Sequence, residues 1–277
     1  MTREVGPARG ILRTGVASGK FHHARIAPCE ALREVVQHFW SVRWDLRGHP
    51  AQTRETLPHP NVHLVFDALG ARVYGIQAGR FSTILEGQAG VFGVKFRPGG
   101  FRSLLGRPLS TIRNRTLTAA EIMAPHAQVL AKIDPMDDDD LGKATAVECM
   151  LLGMGAAVGS QGRQAACIVD DIADNQDLLT VEQLTSRWAM TIRSLQRLFN
   201  EQVGVSPKWV INRYRIHEVI ERLSKGIPTD WTRLALDLGY FDQAHFIRDF
   251  KRLVGCAPGE YARGSEGSAR SESALRS

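Results

Sequence analysis

The sequence predicts an α+β multidomain chain: a β-rich N-terminal module, a helical middle segment, and an all-α C-terminal domain with two helix-turn-helix motifs joined by a long helix. Three observations predict it. Short runs rich in Val, Phe, Trp and Ile, bounded by Gly, Pro and Asp, fill residues 1–117. From Thr118 the apolar residues fall instead at steps of three and four, the helical period. From Val181 one helical pattern then occurs twice, as VEQLTSRWAMTIRSLQRLFNEQVGVSP and, from Trp231, as WTRLALDLGYFDQAHFIRDFKRLVGCAP. With 277 residues there is chain enough for more than one apolar core without covalent staples. The expected units are residues 1–117, 118–176 and 177–263, followed by a polar tail, 264–277, that reads as disordered.

In the first unit, HFWSVRWDL from His38, NVHLVFDA from Asn61, ARVYGI from Ala71 and GVFGVKF from Gly90 read as strands of an antiparallel sheet or small barrel. Helices are expected only over Pro28 to Gln37 and around Phe101 to Gly106. Arg97-Pro98-Gly99-Gly100 offers a guanidinium beside a flexible backbone, and Trp40, Trp44, Phe66 and Phe101 are candidates to line an apolar pocket. The alternative is that Arg97 ends a strand and the aromatics are core. His59 and His63 would lie roughly 13 Å apart on a strand, too far to share an ion, although Pro58 and Pro60 can bend the chain. No metal site is expected. GVASGKF at Gly15 is one residue short of a phosphate loop and has Phe21 where a Ser or Thr belongs, so it is set aside.

In the middle segment, Thr118-Ala-Ala-Glu121 is a capping box that opens a helix through Ile122 toward Ile133. Pro135 and four consecutive aspartates make an exposed break, the aspartates favouring the N-terminus of a helix from about Leu141. Another helix is expected from about Arg163 to Ala173. These two apolar helices either cap the β module or form a homodimer seam; no heptad pattern is sustained.

In the C-terminal unit the second helix of each motif buries Leu195, Leu198 and Phe199, or Phe246, Phe250 and Leu253. Thr191 and Asp242 suit the N-caps; Gly204 and Gly255 suit left-handed C-caps, each followed by a Pro. Gly239 fits the tight turn of the second motif. The helix from Pro207 to Lys225 would be roughly 27 Å long, enough to hold two helices near the ~34 Å spacing of successive major-groove openings. Arg193, Ser194, Gln196, Arg197 and Asn200 face outward on the first recognition helix, and Gln243, Ala244, Ile247, Arg248 and Lys251 on the second. Arg can pair with guanine O6 and N7, Gln with adenine N6 and N7, and Ala or Ile can touch a thymine methyl. The bland alternative is two solvated faces. Trp188, Trp209, Tyr214, Trp231, Leu234, Leu236 and Tyr240 read as packing.

LQRLF at Leu195 to Phe199, GVSP at Gly204 to Pro207, and LGYFDQAHFIRDFKRLVGCAPGEYAR from Leu238 to Arg263, in this order and spacing, resemble the tandem DNA-binding domain of AraC/XylS-type bacterial transcription regulators. The resemblance covers about the last third of the chain. LPHPNVHLVF at Leu57 to Phe66 and GVKFRPGGF at Gly93 to Phe101 are similar to an N-terminal module found beside such domains. The resemblance implies double-stranded DNA bound at two adjacent major-groove segments, with base contacts from Arg193, Gln196, Arg197, Gln243, Ala244, Ile247 and Arg248. It also implies a sensor module for a small-molecule effector, with RNA polymerase as a further partner; Trp40, His59, His63 and Arg97 are the candidate ligand-binding residues on their own chemistry. No cofactor is expected. The rival is an enzyme or repair activity in residues 1–117 fused to a DNA-binding module; no GxSxG elbow, zinc spacing or phosphate loop supports it, and the chain is not read as an enzyme. An architectural DNA-binding protein without an effector is a third reading.

Charge alone would not have found the DNA-binding unit. Residues 1–117 hold 17 basic against 7 acidic residues, 118–176 hold 3 against 10, and 177–263 only 13 against 10. The four cysteines lie far apart with no CxxC, so neither a zinc site nor a disulfide framework is suggested, and a reducing cytoplasm fits. MTREVGPARG lacks the charged-then-apolar pattern of a signal sequence, and Cys149 to Val158 is too short to span a bilayer.

Overall fold

The computed structural model describes residues 12, 19–224, 227 and 230–263. The tail from Gly264 and most of the GVASGKF run lie outside the described residues. Eight strands form the N-terminal module: β1 (Lys20–Ile26), β2 (Val36–Asp45), β3 (Gln52–Thr56), β4 (His63–Asp67), β5 (Gly70–Tyr74), β6 (Phe81–Leu85), β7 (Gln88–Phe96) and β8 (Thr116–Thr118). Six make one sheet in the order β1-β2-β7-β4-β5-β8, each neighbouring pair antiparallel, and β3 and β6 pair separately.

Strand alternation gives the large sheet two unlike faces. Phe39, Val94, Leu64, Val73 and Leu117 stand in one register row, and Ser41, Phe92, Phe66 and Ala71 in the next. Most of these residues are buried in the main core, against α4 (Asp140–Gly153) and α5 (Ser160–Asp174). Phe66 and Phe101 belong to that core, whereas Trp40 and Trp44 project from the opposite face. The expected four-aromatic pocket therefore does not form.

The expected helix over Pro28 to Gln37 is only a 3-10 turn at Glu30–Leu32, because Val36 already pairs in β2 with Phe96. Phe101 to Gly106 yields α1 (Arg102–Leu105). The helix expected from Thr118 toward Ile133 is split into α2 (Ala120–Met123), a 3-10 turn, and α3 (Ala127–Ala131). Pro125 in that turn has no amide hydrogen with which to continue the ladder. Only half of the capping box closes: Glu121 accepts the Thr118 amide at 2.9 Å, while Thr118 itself ends β8.

Asp140 differs from its neighbours in the acidic run. Asp139 caps α4 by accepting the Gly142 amide at 2.8 Å. Asp140 is buried and gathers Arg43 at 2.7 Å, Lys143 at 3.0 Å and His22 at 3.1 Å, clamping α4 to β1 and β2. The apolar sides of α4 and α5, including Val147, Leu151, Ile168 and Ile172, are occupied within the chain.

The C-terminal helices are α6 (Val181–Arg187), α7 (Ile192–Gln202), α8 (Pro207–Ser224), α9 (Trp231–Asp237) and α10 (Gln243–Val254). Leu195, Leu198 and Phe199 of α7 join the main core, together with Val210 and Ile211 of α8. Ile216, Val219, Ile220 and Leu223, further along α8, join a second core with Leu234, Phe246 and Phe250, which also takes in Leu12 and Leu57. One helix thus belongs to two apolar clusters. Arg213 and Arg215, both 1 % exposed, hold it to the rest of the fold by donating to the carbonyls of Ala78 and Ile172.

Burial raises the Asp140 carboxyl, but hydrogen bonds from Lys143, Arg43 and His22 outweigh it and hold the pKa at about 2. A carboxylate depressed in the folded state stabilises fully above its unfolded value near 4 and loses that contribution as pH falls through about 2. Asp140→Asn should lower unfolding stability by about 3 kcal/mol at pH 7. In urea unfolding the gap from wild type should narrow between pH 4 and pH 2; a pH-independent gap would refute this role.

Candidate nucleic-acid interface and the open face of the sheet

Each motif is built from local caps and one tight turn. Thr180 and Gln183 form a complete capping box on α6. Asp230 caps α9 by accepting the amides of Thr232 and Arg233. The turn between the helices passes through a left-handed residue, Ala189 at φ 48° in the first motif and Gly239 at φ 73° in the second. Thr191 then caps α7 by accepting the Ser194 amide at 3.1 Å, and Asp242 caps α10 by accepting the His245 amide at 2.6 Å. The first motif is further tied to α5, where Asp171 accepts from Arg187 at 2.6 Å and from Trp188 Nε1 at 2.9 Å. Sequence reasoning read Trp188 as packing and missed this anchor, since the partner lies in another unit.

Arg193, Gln196, Arg197 and Asn200 lie exposed along α7, and Ala244, Arg248 and Lys251 along α10. Ser194 is half-buried, its hydroxyl 2.9 Å from that of Thr191, so the cap holds it. Gln243 is also half-buried and accepts the Thr232 hydroxyl at 3.1 Å; Ile247 packs partly against the second core. Asp249 pairs with Arg252 at 2.9 Å. Among the described residues Arg193, Arg197, Arg248 and Lys251 make no ion pair, so four cations on the two outward faces are uncommitted.

The four candidate ligand residues separate. Arg97 pairs with Asp170 of α5, so the structure gives it a bracing contact. Trp40, His59 and His63 come together on the face of the sheet away from the main core. Lys95 of β7 stands in register between His38 of β2 and His63 of β4. The Trp40 ring meets that of His63 edge-on at 6.3 Å and lies across Gly93, where an added methyl carbon would fall 2.3 Å from Trp40 Cε2. Arg25 Nη2 is 2.9 Å from the His38 ring. His59 stacks on His217 of α8 at 4.1 Å, with Tyr214 5.5 Å away. Strand alternation alone puts Lys95 on the face of Gly93, but its two histidine neighbours depend on register with distant strands.

Burial, reinforced by Lys95, Arg25 and His63, pushes His38 down to about 3, and burial with Lys95 does the same to His63. Burial first, then Arg25, brings Lys95 down to about 7. His59 is lowered by burial and by the nearby charges of His217, Lys95, Arg213 and His63. No group of three or more His, Cys, Asp or Glu side chains among the described residues is arranged to hold a metal ion. No described helix is long and apolar enough to cross a membrane.

Two N-capped helix pairs, each with a turn and an outward polar helix, define a helix-turn-helix protein. Residues 184–264 match the helix-turn-helix domain family, and residues 24–118 match a domain of unknown function. The C-terminal part of the chain is an AraC-type domain, the kind with which transcription regulators bind DNA. The chain is 27% identical over 110 residues to the HTH-type transcriptional regulator MtrA of Neisseria gonorrhoeae, covering 39% of this chain and 36% of the relative. It is 29% identical over 87 residues to the transcriptional activator RhaS of Escherichia fergusonii, covering 31% of each. The chain thus spans about a third of the length of the curated relatives it matches. A crystal structure of ToxT from Vibrio cholerae, at 11% identity, aligns with 90% of this chain and all of that one at a TM-score of 0.39.

Two measurements follow from this geometry. Ala189 has its Cβ in a conformation that costs about 1 kcal/mol, so Ala189→Gly should raise Tm by roughly 2 to 4 °C and Gly239→Ala should lower it similarly. Lys95 is a base depressed in the folded state, so the unfolded chain holds the extra proton between about pH 7 and its ordinary value of 10.5. Stability should therefore rise with pH across that window. Lys95→Met should raise Tm most at or below pH 7, with the gain fading toward pH 10; a constant gain would contradict the assignment.

Proposed function

We propose that this chain is a sequence-specific, DNA-binding transcription regulator whose α7 and α10 read two neighbouring major-groove segments, with the N-terminal module responding to an effector. The observation that carries the reading is the pair of capped helices whose outward faces hold uncommitted arginines beside amide side chains. Arg193, Gln196, Arg197 and Asn200 supply the first face; Ala244, Arg248 and Lys251 supply the second, with Gln243 and Ile247 at its edge. Ser194 serves the cap, its hydroxyl and amide both engaged by Thr191. The 18 residues of α8 give a rod roughly 27 Å long, suited to holding both helices on one side of a duplex.

Selection of genomic DNA fragments by the purified protein tests this directly. The expected product is a bipartite site with halves about one helical turn apart. Gln196→Ala should relax base preference at one position and weaken the preferred site by about 1 to 3 kcal/mol. Lys251→Ala should weaken all sequences alike and reduce the salt slope by about 1. Recovery that depends on salt but not on sequence would refute the base-reading role of these helices.

A further inference from the structure

The face of the sheet away from the main core gathers nitrogen donors and cations, and the acid that strand alternation puts on it, Asp67, is engaged by Arg72. Lys95, His38, His63, Arg25 and Trp40 share this face through strand register, and His59 borders it. Among the described residues Lys95 makes no ion pair or hydrogen bond, and the buried Trp40 Nε1 has no acceptor. Gly93, over which the indole lies, is two residues from Lys95 on the same strand face, so the Cα atoms of Gly93 and Lys95 are about 7 Å apart. A buried N–H carries a free-energy cost until an acceptor arrives, and the half-buried Lys95 ammonium is partly desolvated beside it. One anionic group would satisfy both.

From this juxtaposition we infer that the open face of the N-terminal module is a binding site for a small organic anion, its carboxylate or phosphate held by Lys95 and Trp40 Nε1 between the His38 and His63 rings. The indole of Trp40 supplies a flat wall for the body of the ligand, and Arg25 adds positive potential from the neighbouring strand. An anion here would favour the charged form of Lys95, which burial otherwise disfavours. The inference rests on the reading of this module as effector-responsive, and it names the chemical class of the effector. The stack of His59 on His217 brings the site's margin to α8, the helix that carries both motifs. Arg97, paired with Asp170, lies outside the site.

The test uses the full chain with benzoate and phenyl phosphate as probes and neutral benzamide as the isosteric control. Benzoate or phenyl phosphate at ten times Kd should raise Tm by roughly 3 to 6 °C. The stronger of the two identifies the preferred head group. Benzamide should give no shift, Lys95→Met should abolish the response to the anions, and Arg97→Ala should retain it. Equal shifts with benzamide, an undiminished response in Lys95→Met, or no response to either anion would each overturn the inference. Lys95→Met is expected to be the more stable protein, so loss of its response cannot be assigned to unfolding. Fragment selection on the unliganded wild type is scored separately. Specific DNA recovery without anion binding defeats this inference alone, and anion binding without specific recovery defeats the regulator reading alone.

Discussion

Phe199 and Leu195 are buried in the same apolar cluster as Phe39, Phe66 and Phe92, and this shared core governs how the first recognition helix is aimed. A helix whose inner face is packed on α5 and the Leu109–Ile112 turn cannot turn about its axis without opening that packing. The outward direction of Arg193, Gln196 and Arg197 is therefore tied to α5 and to a turn more than 80 residues away in sequence. Polar ties add to the apolar ones. Gly99 donates its amide to the Gln202 carbonyl at 2.9 Å, joining the Arg97-Pro98-Gly99-Gly100 turn to the end of α7. Asp171 ties α6 to α5 on the other side.

The second motif is held differently. Its helices pack on their own cluster, and they reach the rest of the chain through α8, Leu12 and Leu57. Arg80 pairs within the module with Glu55 at 3.0 Å and reaches outward to the Val254 carbonyl at 3.4 Å, beside the end of α10. Buried Arg213 lies over the Trp209 ring at 4.4 Å while it donates to Ala78. Guanidiniums suit this task because a planar group can stack on an aromatic and still present donors at its edge.

What was legible in the sequence followed local rules. Helix caps at Thr191 and Asp242, the turn at Gly239 and the buried stripes of α7 and α10 depend on residues within one or two turns of each other, and all stand where the spacing put them. Strands with strong apolar alternation were also visible. KFHHARI, QTRET and FSTIL were missed as β1, β3 and β6 because they are polar or exposed edge segments, stabilised by partners rather than by pattern. Asp140 was hidden in a run of like charges, and only the positions of Arg43 and Lys143 distinguish it from the others. The open face was half legible. Trp40 and His63 could be named as candidates, but Lys95 stands in a register row that no local pattern contains, and the pairing of Arg97 with an acid on α5 was equally out of reach.

The sharing of one core between the sheet and the first motif also has a consequence for inheritance. A recombination that replaced everything after residue 176 would leave the sheet, α4 and α5 facing a foreign helix, and would strip Leu195, Leu198 and Phe199 of the surface they were shaped to fill. An exchange falling within α8, between Ile211 and Ile216, cuts through far less packing, because the two clusters meet along that helix. The N-terminal module and the first motif are thus expected to descend as a pair, while the second motif is the part that lineages can trade.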